Sequence, residues 1–247
     1  MVFVLADNSD YWKRRWSSFP RLALFLFVTT TSLTMAQSVQ FLPELDTSLS
    51  VSPVMRATFQ VKQTREGGDP TQTEIGPSVD FSLKPWLKLK SVTAFDLDES
   101  KKRALVFSPG YRVLPSPDAS TVQRLELVAT TNFPLQWGML ISDRNRADND
   151  WTNGVYAWRY RNRLSLQKSL AIYSYHPQVY GRSEEFYESK YKKWSTTALY
   201  AGTTLPIRRH MDLGLYYDHQ NNTGKKPNQQ LNQIGLIANL YFSIDKR

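Results

Sequence analysis

"VYAWRYRNRLSLQ", residues 155–167, places Arg159, Arg161 and Arg163 at every second position, with Trp158, Tyr160, Leu164 and Leu166 between and beyond them. On a helix, residues two apart point about 200° from one another, so the three arginines would share no face. On a β-strand side chains alternate, and all three fall on one side while the rings and leucines fall on the other. A slip of one residue would exchange the two faces, so the register is strongly specified. The fold then depends on which face meets which surroundings.

The same period of two recurs along the chain. In "FLPELDTSLSVS", Phe41, Leu45, Leu49 and Val51 alternate with Glu44, Asp46, Ser48 and Ser50. "MRATFQVKQT" sets Met55, Ala57, Phe59 and Val61 against Arg56, Thr58, Gln60 and Lys62. "TEIGPSVDFSL" sets Ile75, Val79 and Phe81 against Glu74, Ser78 and Asp80. "RALVFSPGYRV" contributes Arg112, and "VQRLELVATTNF" contributes Arg124 and Glu126, to the polar side. "LQWGMLIS", "LAIYSYH", "STTALYAGTTL", "MDLGLYYDH" and "LNQIGLIANLYF" continue the pattern. These segments read as strands. An antiparallel barrel is expected to close on an even number. With residues 87–102 as a further strand the count is 12, with 10 as the second choice.

The connections divide into two sets. "SPV", "KPW", "FPL", "QKS" and "PIRRH" are short. "REGGDPTQ", "PSPDAST", "DRNRADNDWTNG", "GRSEEFYESKYKK" and "NNTGKKPNQQ" are long and polar, and they alternate with the short set. Short turns at one end and long loops at the other is the pattern of outer-membrane barrels. A soluble β-barrel or sandwich also alternates, with its apolar face turned inward. Against that stand the number of strands and the rings Trp86, Trp137, Trp158, Tyr173 and Trp194 near strand ends, suited to headgroup belts. The last strand also ends on an aromatic, Phe242. The expected fold is an all-β, transmembrane, antiparallel up-and-down barrel. Its arginines face the lumen, because an arginine on the lipid face near the midplane costs roughly 2–4 kcal/mol.

Composition agrees with an exported barrel. The 247 residues carry a formal net charge of +9 and no cysteine, which excludes a disulfide framework or a thiolate metal site. No run of about 20 apolar residues suggests a spanning helix. Residues 1–36 read as a signal peptide: Lys13, Arg14, Arg15 and Arg21 precede "LALFLFV", and small Thr34 and Ala36 mark a cleavage site. Residues 37–247 then form the barrel domain, with 27 basic residues against 20 acidic. That balance suits contact with anionic outer-membrane lipid and lipopolysaccharide and gives no reason to expect nucleic acid.

The phrases "PELDTSLSVSP", "QTREGGDPTQTEIGPSVDFSLKP", "LISDRNRAD", "WRYRNRLSL", "KWSTTALYAG" and "YYDHQNNTGKKPNQQLNQIGL" resemble the domain-of-unknown-function 2490 family of bacterial outer-membrane β-barrels. The resemblance covers nearly the whole mature chain. It implies a Gram-negative outer membrane, assembly by the barrel-assembly machinery, and no established catalytic residues.

Function must come from the residues. The expected lumen-facing charges are Arg56, Lys62, Glu74, Asp80, Arg112, Arg124, Glu126, Arg159, Arg161 and Arg163, with Glu44, Asp46, Asp212 and Asp218 adding acids and Lys88 and Lys90 of uncertain place. Such an interior is either a salt-bridged filling or an arginine ladder that selects anions, with Glu126 and Asp80 as candidate partners of the ladder. The favoured reading is a small pore or binding barrel for polar or anionic solutes, monomeric and without a cofactor. The alternatives are a membrane-embedded lipid hydrolase and a purely structural barrel. For hydrolysis the candidate is a weak rim site of Asp218, His219 and Asn221, with Ser142, Ser174 or Ser195 as nucleophile; no G-x-S-x-G elbow singles one out. Asp143, Asp148 and Asp150 could hold calcium in a loop but lack the glycine and terminal glutamate of an EF-hand, so no metal is assigned.

Overall fold

The computed structural model describes residues 39–83, 104–173, 175–224 and 226–244. The signal segment 1–36, Trp86, residues 87–102 with Lys88 and Lys90, and Ser174 lie outside the described residues. Those described form eleven strands: β1 (Val39–Ser52), β2 (Met55–Glu66), β3 (Asp69–Leu83), β4 (Leu105–Ser116), β5 (Ala119–Leu135), β6 (Met139–Thr152), β7 (Val155–Ser169), β8 (Gln178–Glu188), β9 (Lys193–Arg208), β10 (Met211–Asn222) and β11 (Gln229–Ser243). Each pairs antiparallel with its sequence neighbours, and the sheet closes into a barrel.

The closure corrects the expected count of 12 or 10. In an up-and-down sheet with an odd number of strands, the first and last strands run the same way. They can still join, and β1 pairs with β11 in parallel from Val39–Asn232 to Ser50–Ser243. The even-number expectation assumed an antiparallel seam. Nor is there room for a strand between β3 and β4, which bond directly from Ile75–Val113 to Leu83–Leu105.

The turns correct a second expectation. Four of the five polar connections read as long loops are mostly strand; the fifth does connect, since β10 ends at Asn222 and β11 begins at Gln229. β2 and β3 meet at Gly67–Gly68, with φ of 62° and 97°, and β6 and β7 meet at Asn153–Gly154, with φ of 50° and 79°. Two central residues with positive φ make the tight turn that matches the strand twist. "DRNRADNDWTNG" is therefore the body of β6 plus a two-residue turn, and "GRSEEFYE" belongs to β8. Conversely "LAIYSYH", read as a strand, lies in the β7–β8 connection and carries one isolated bridge, Ile172–Tyr175.

Alternation then sorts the side chains. Phe41, Leu45, Phe59, Phe81, Phe107, Leu125, Leu127, Leu164, Leu166, Leu199, Leu215 and Leu236 are exposed. On the opposite face of the strands Arg112, Arg124, Glu126, Arg146, Asp148, Glu184 and Asp218 are buried. Apolar outside and charged inside is the inverse of a barrel that buries a hydrophobic core. Rings gather near both ends: Trp137 and Tyr173 in connections at one, and at the other Trp158 stacked on Tyr187 at 5.4 Å with Trp194 5.8 Å beyond.

Candidate functional site

The candidate site is the lumen, and its dominant feature is the β6–β7 pair. The Asn153–Gly154 turn fixes their register and sets Asp148 beside Arg159, Arg146 beside Arg161 and Arg144 beside Arg163. All six point inward, so two ladders of charge run side by side. β8 adds Glu184 beside Arg163.

All the carboxylates on this wall but Asp150 are shared. Asp148, fully buried, accepts from Arg146 and from Arg159 at 2.8 Å, with Arg161 at 3.9 Å. Glu184 accepts Arg161 and Arg163, both at 2.9 Å, and the Tyr200 hydroxyl at 2.9 Å. Glu126 binds Arg146 and lies 3.9 Å from Arg112. Asp150 takes Arg124 with both oxygens, at 2.6 and 2.9 Å. Glu74 lies 3.5 Å from Arg124 and 3.8 Å from both Arg112 and Arg146. Sharing carboxylates among several guanidinium forks satisfies more donors than isolated pairs could.

The partners expected for the ladder are corrected here. Arg159, Arg161 and Arg163 pair with Asp148 and Glu184 rather than with Glu126 and Asp80. Glu126 serves Arg146 and Arg112, and Asp80 stands beside Arg56 in the β2–β3 register. Arg56, Lys62, Glu74, Asp80, Arg112, Arg124, Glu126 and the three ladder arginines all line one cavity of about 780 Å³. Arg144, Arg146 and Arg182 line it too.

Aromatic rings orient the guanidiniums. Arg161 lies 4.6 Å from the Phe186 centroid, Arg163 lies 5.3 Å from Tyr200, and Arg182 lies 3.8 Å from Tyr180. Such cation–π contacts leave the edge of the guanidinium, where its N–H groups point, free to donate. Arg144 and Arg182 have no carboxylate within ion-pair distance among the described residues. The Nε of Arg163 is buried and has no hydrogen-bond partner among them, as is true of Asp46 Oδ1 and Asp218 Oδ1 elsewhere in the lumen.

The rim site does not assemble. Asp218 and His219 are consecutive on β10, so they point to opposite sides of the wall. Asp218 lines the cavity, where Gln220 donates to it at 2.7 Å. His219 is outside, its Nδ1 2.8 Å from Asn232 Oδ1, and Asn221 shares its face. The serines are engaged elsewhere: Ser142 donates to Asn132 at 2.8 Å and Ser195 to Glu188 at 2.7 Å. The three aspartates considered for calcium are likewise divided. Asp148 and Asp150 face arginines inside, whereas Asp143 is outside and accepts from Asn162 at 2.8 Å and Asn145 at 3.2 Å. No group of three or more acidic or histidine side chains among the described residues is arranged to hold a metal ion.

Arg144, Arg146, Arg182 and Glu184 are not legible as luminal residues from a sequence in which their segments look like loops, and the same appearance makes Asp148 and Asp150 look like loop carboxylates. The signal that locates Arg144, Arg146, Asp148 and Asp150 was present: Asn153–Gly154 is a hairpin turn, and counting back and forward from it pairs Asp148 with Arg159 and Arg146 with Arg161.

Residues 40–231 match the protein family of unknown function DUF2490, and the chain belongs to that family. No curated protein matches the chain.

Proposed function

We propose that this DUF2490 protein is an outer-membrane β-barrel whose lumen binds or conducts small polar, anionic solutes. The observation that carries the reading is the inverted distribution of side chains, with apolar residues exposed on the outer face and paired charges inside. Water gives no reason for that arrangement and a bilayer does. The rings near both ends suit the two headgroup levels. Strands of 11 to 17 residues are long enough to cross a hydrocarbon core when tilted. The cavity of about 780 Å³ is the size of a small-molecule pocket rather than of a wide aqueous channel. Arginines concentrated on one wall give such a lumen its preference for anions.

The test is fractionation followed by reconstitution. The protein is expected in the outer-membrane fraction of a Gram-negative host, extracted only by detergent, with mobility on a gel that changes on heating. In planar bilayers, or in vesicle flux if passage is slow, chloride and small organic anions should be favoured over potassium. Recovery as a soluble monomer without detergent overturns the membrane reading. A preference for cations overturns the choice of solute.

A further inference from the structure

Arg144, Arg163 and Arg182 stand out from the ion-paired lumen. They come from three adjacent strands. Arg144 is the cross-strand neighbour of Arg163. Arg182 neighbours Ser165, two residues along β7 from Arg163 and on the same luminal side. Diagonal neighbours of this kind are within reach of long side chains. All three line the same cavity.

The carboxylates nearby are already committed. Glu184 gives one oxygen to Arg161 and the other to Arg163 and Tyr200. Asp148 is taken by Arg146 and Arg159. Eight arginines of this wall thus meet five carboxylates, Glu74, Glu126, Asp148, Asp150 and Glu184. Arg144 and Arg182 are in excess, and Arg163 has a buried Nε–H to spare. The other acids that line the cavity, Glu44, Asp46, Asp80 and Asp218, stand on β1, β3 and β10, and none lies within ion-pair distance of Arg144 or Arg182 among the described residues, so an anion from solution can supply the missing counter-charge.

We propose that these three arginines form a site for a phosphate group, as inorganic phosphate or a soluble phosphate monoester. The proposal rests on the reading of the lumen as an anionic-solute compartment and names the solute class. A carboxylate carries one charge and two oxygens that lie in one plane. A phosphate dianion brings more charge and oxygens on all sides, and so serves donors arriving from three strands. The Tyr180 ring under Arg182 and the Tyr200 ring beside Arg163 hold two of the forks in place before the ligand arrives.

The experiment is calorimetric titration of the full chain refolded in detergent with sodium phosphate, glycerol phosphate, sodium acetate and micellar phosphatidic acid. Saturable binding of phosphate and glycerol phosphate is expected, with acetate weaker by at least about tenfold. Arg144→Gln and Arg182→Gln should each weaken phosphate binding by about 10- to 100-fold while heat-modifiable mobility is retained. Arg182, held by a ring stack, is the safer variant should Arg144→Gln fail to fold. Phosphate affinity unchanged in both variants overturns the site. Binding of phosphatidic acid without binding of the soluble phosphates overturns the solute assignment. Anion-selective conductance with no phosphate binding by the unaltered protein overturns this inference and leaves the proposed function standing. Loss of barrel behaviour in the unaltered protein removes both.

Discussion

Two walls of the same lumen are built by different physics. From β4 to β8 the wall is charge: arginines and carboxylates, ion-paired with their neighbours among the described residues except at Arg144 and Arg182. From β8 round to β1 it is shape. One row of paired residues runs Tyr180, Gly202, Tyr216, Gly235 and Leu42, large and small in turn. A Cβ on Gly235 would overlap the Tyr216 ring, and one on Gly202 would overlap the Tyr180 ring. Neutral amides continue this side, with Gln233 donating to Gln40 at 2.6 Å across the parallel seam and Gln220 donating to Gln233 at 2.9 Å. The charged wall can recognise a solute, and its integrity depends on every counter-charge being present. The ring-and-glycine wall has few charges to lose, and its integrity depends on volume.

The contrast breaks first at Asp148. Asp148→Ala should lower unfolding stability by about 3–5 kcal/mol, because it leaves Arg146 and Arg159 without their shared acceptor in a buried place. Urea unfolding followed by gel mobility measures it, and a loss below about 1 kcal/mol would mean that this wall is open to water.

Arg161→Ala should cost less, about 1.5–3 kcal/mol, since Glu184 keeps Arg163 and Tyr200 as donors. In a conducting protein the same change should reduce anion preference. No change in either stability or selectivity would remove Arg161 from both roles.

On the other wall, Gly235→Ala should cost about 1–3 kcal/mol by displacing the Tyr216 ring. Tyr216→Ala in the same protein should recover part of that loss, a coupling that a double-mutant cycle reads directly. Additive losses would show that the ring and the glycine do not constrain each other.

The smallest effect is expected outside. His219→Ala removes one hydrogen bond to Asn232 and should cost about 0.5–1.5 kcal/mol. Phospholipid hydrolysis that disappears in this variant would restore the enzymatic alternative, which the opposite facing of Asp218 and His219 disfavours.

What could be read from the sequence follows the same division. Arg159, Arg161 and Arg163 were legible as one face because leucines and rings mark the other. β6 was not, because its outward positions Asp143, Asn145 and Asn149 are as polar as its inward ones, and alternation vanishes when both faces are polar. Asn162 breaks the outer face of β7 in the same place and donates to Asp143 and Asn145. Arg144 and Arg146 were lost for that reason, and with them the nature of the arginine wall. Glu184 was lost because β8 was read one segment too early. The strand count was not accessible from pattern alone, since parity follows from how the seam closes.

The parallel seam also governs how the chain can be rewired. In an even-stranded barrel the outer ends of the first and last strands share a rim, and a short linker can join them. Here Val39 lies beside Asn232 and Ser50 beside Ser243. The start of β1 and the end of β11 are therefore at opposite rims, about 36 Å apart along the strand direction. A circular permutant cannot be closed with a hairpin. Its linker would have to run the height of the barrel, through a lumen lined with charged side chains or across an apolar exterior. The barrel likewise cannot be divided into whole hairpins, and one strand is always left to make the join.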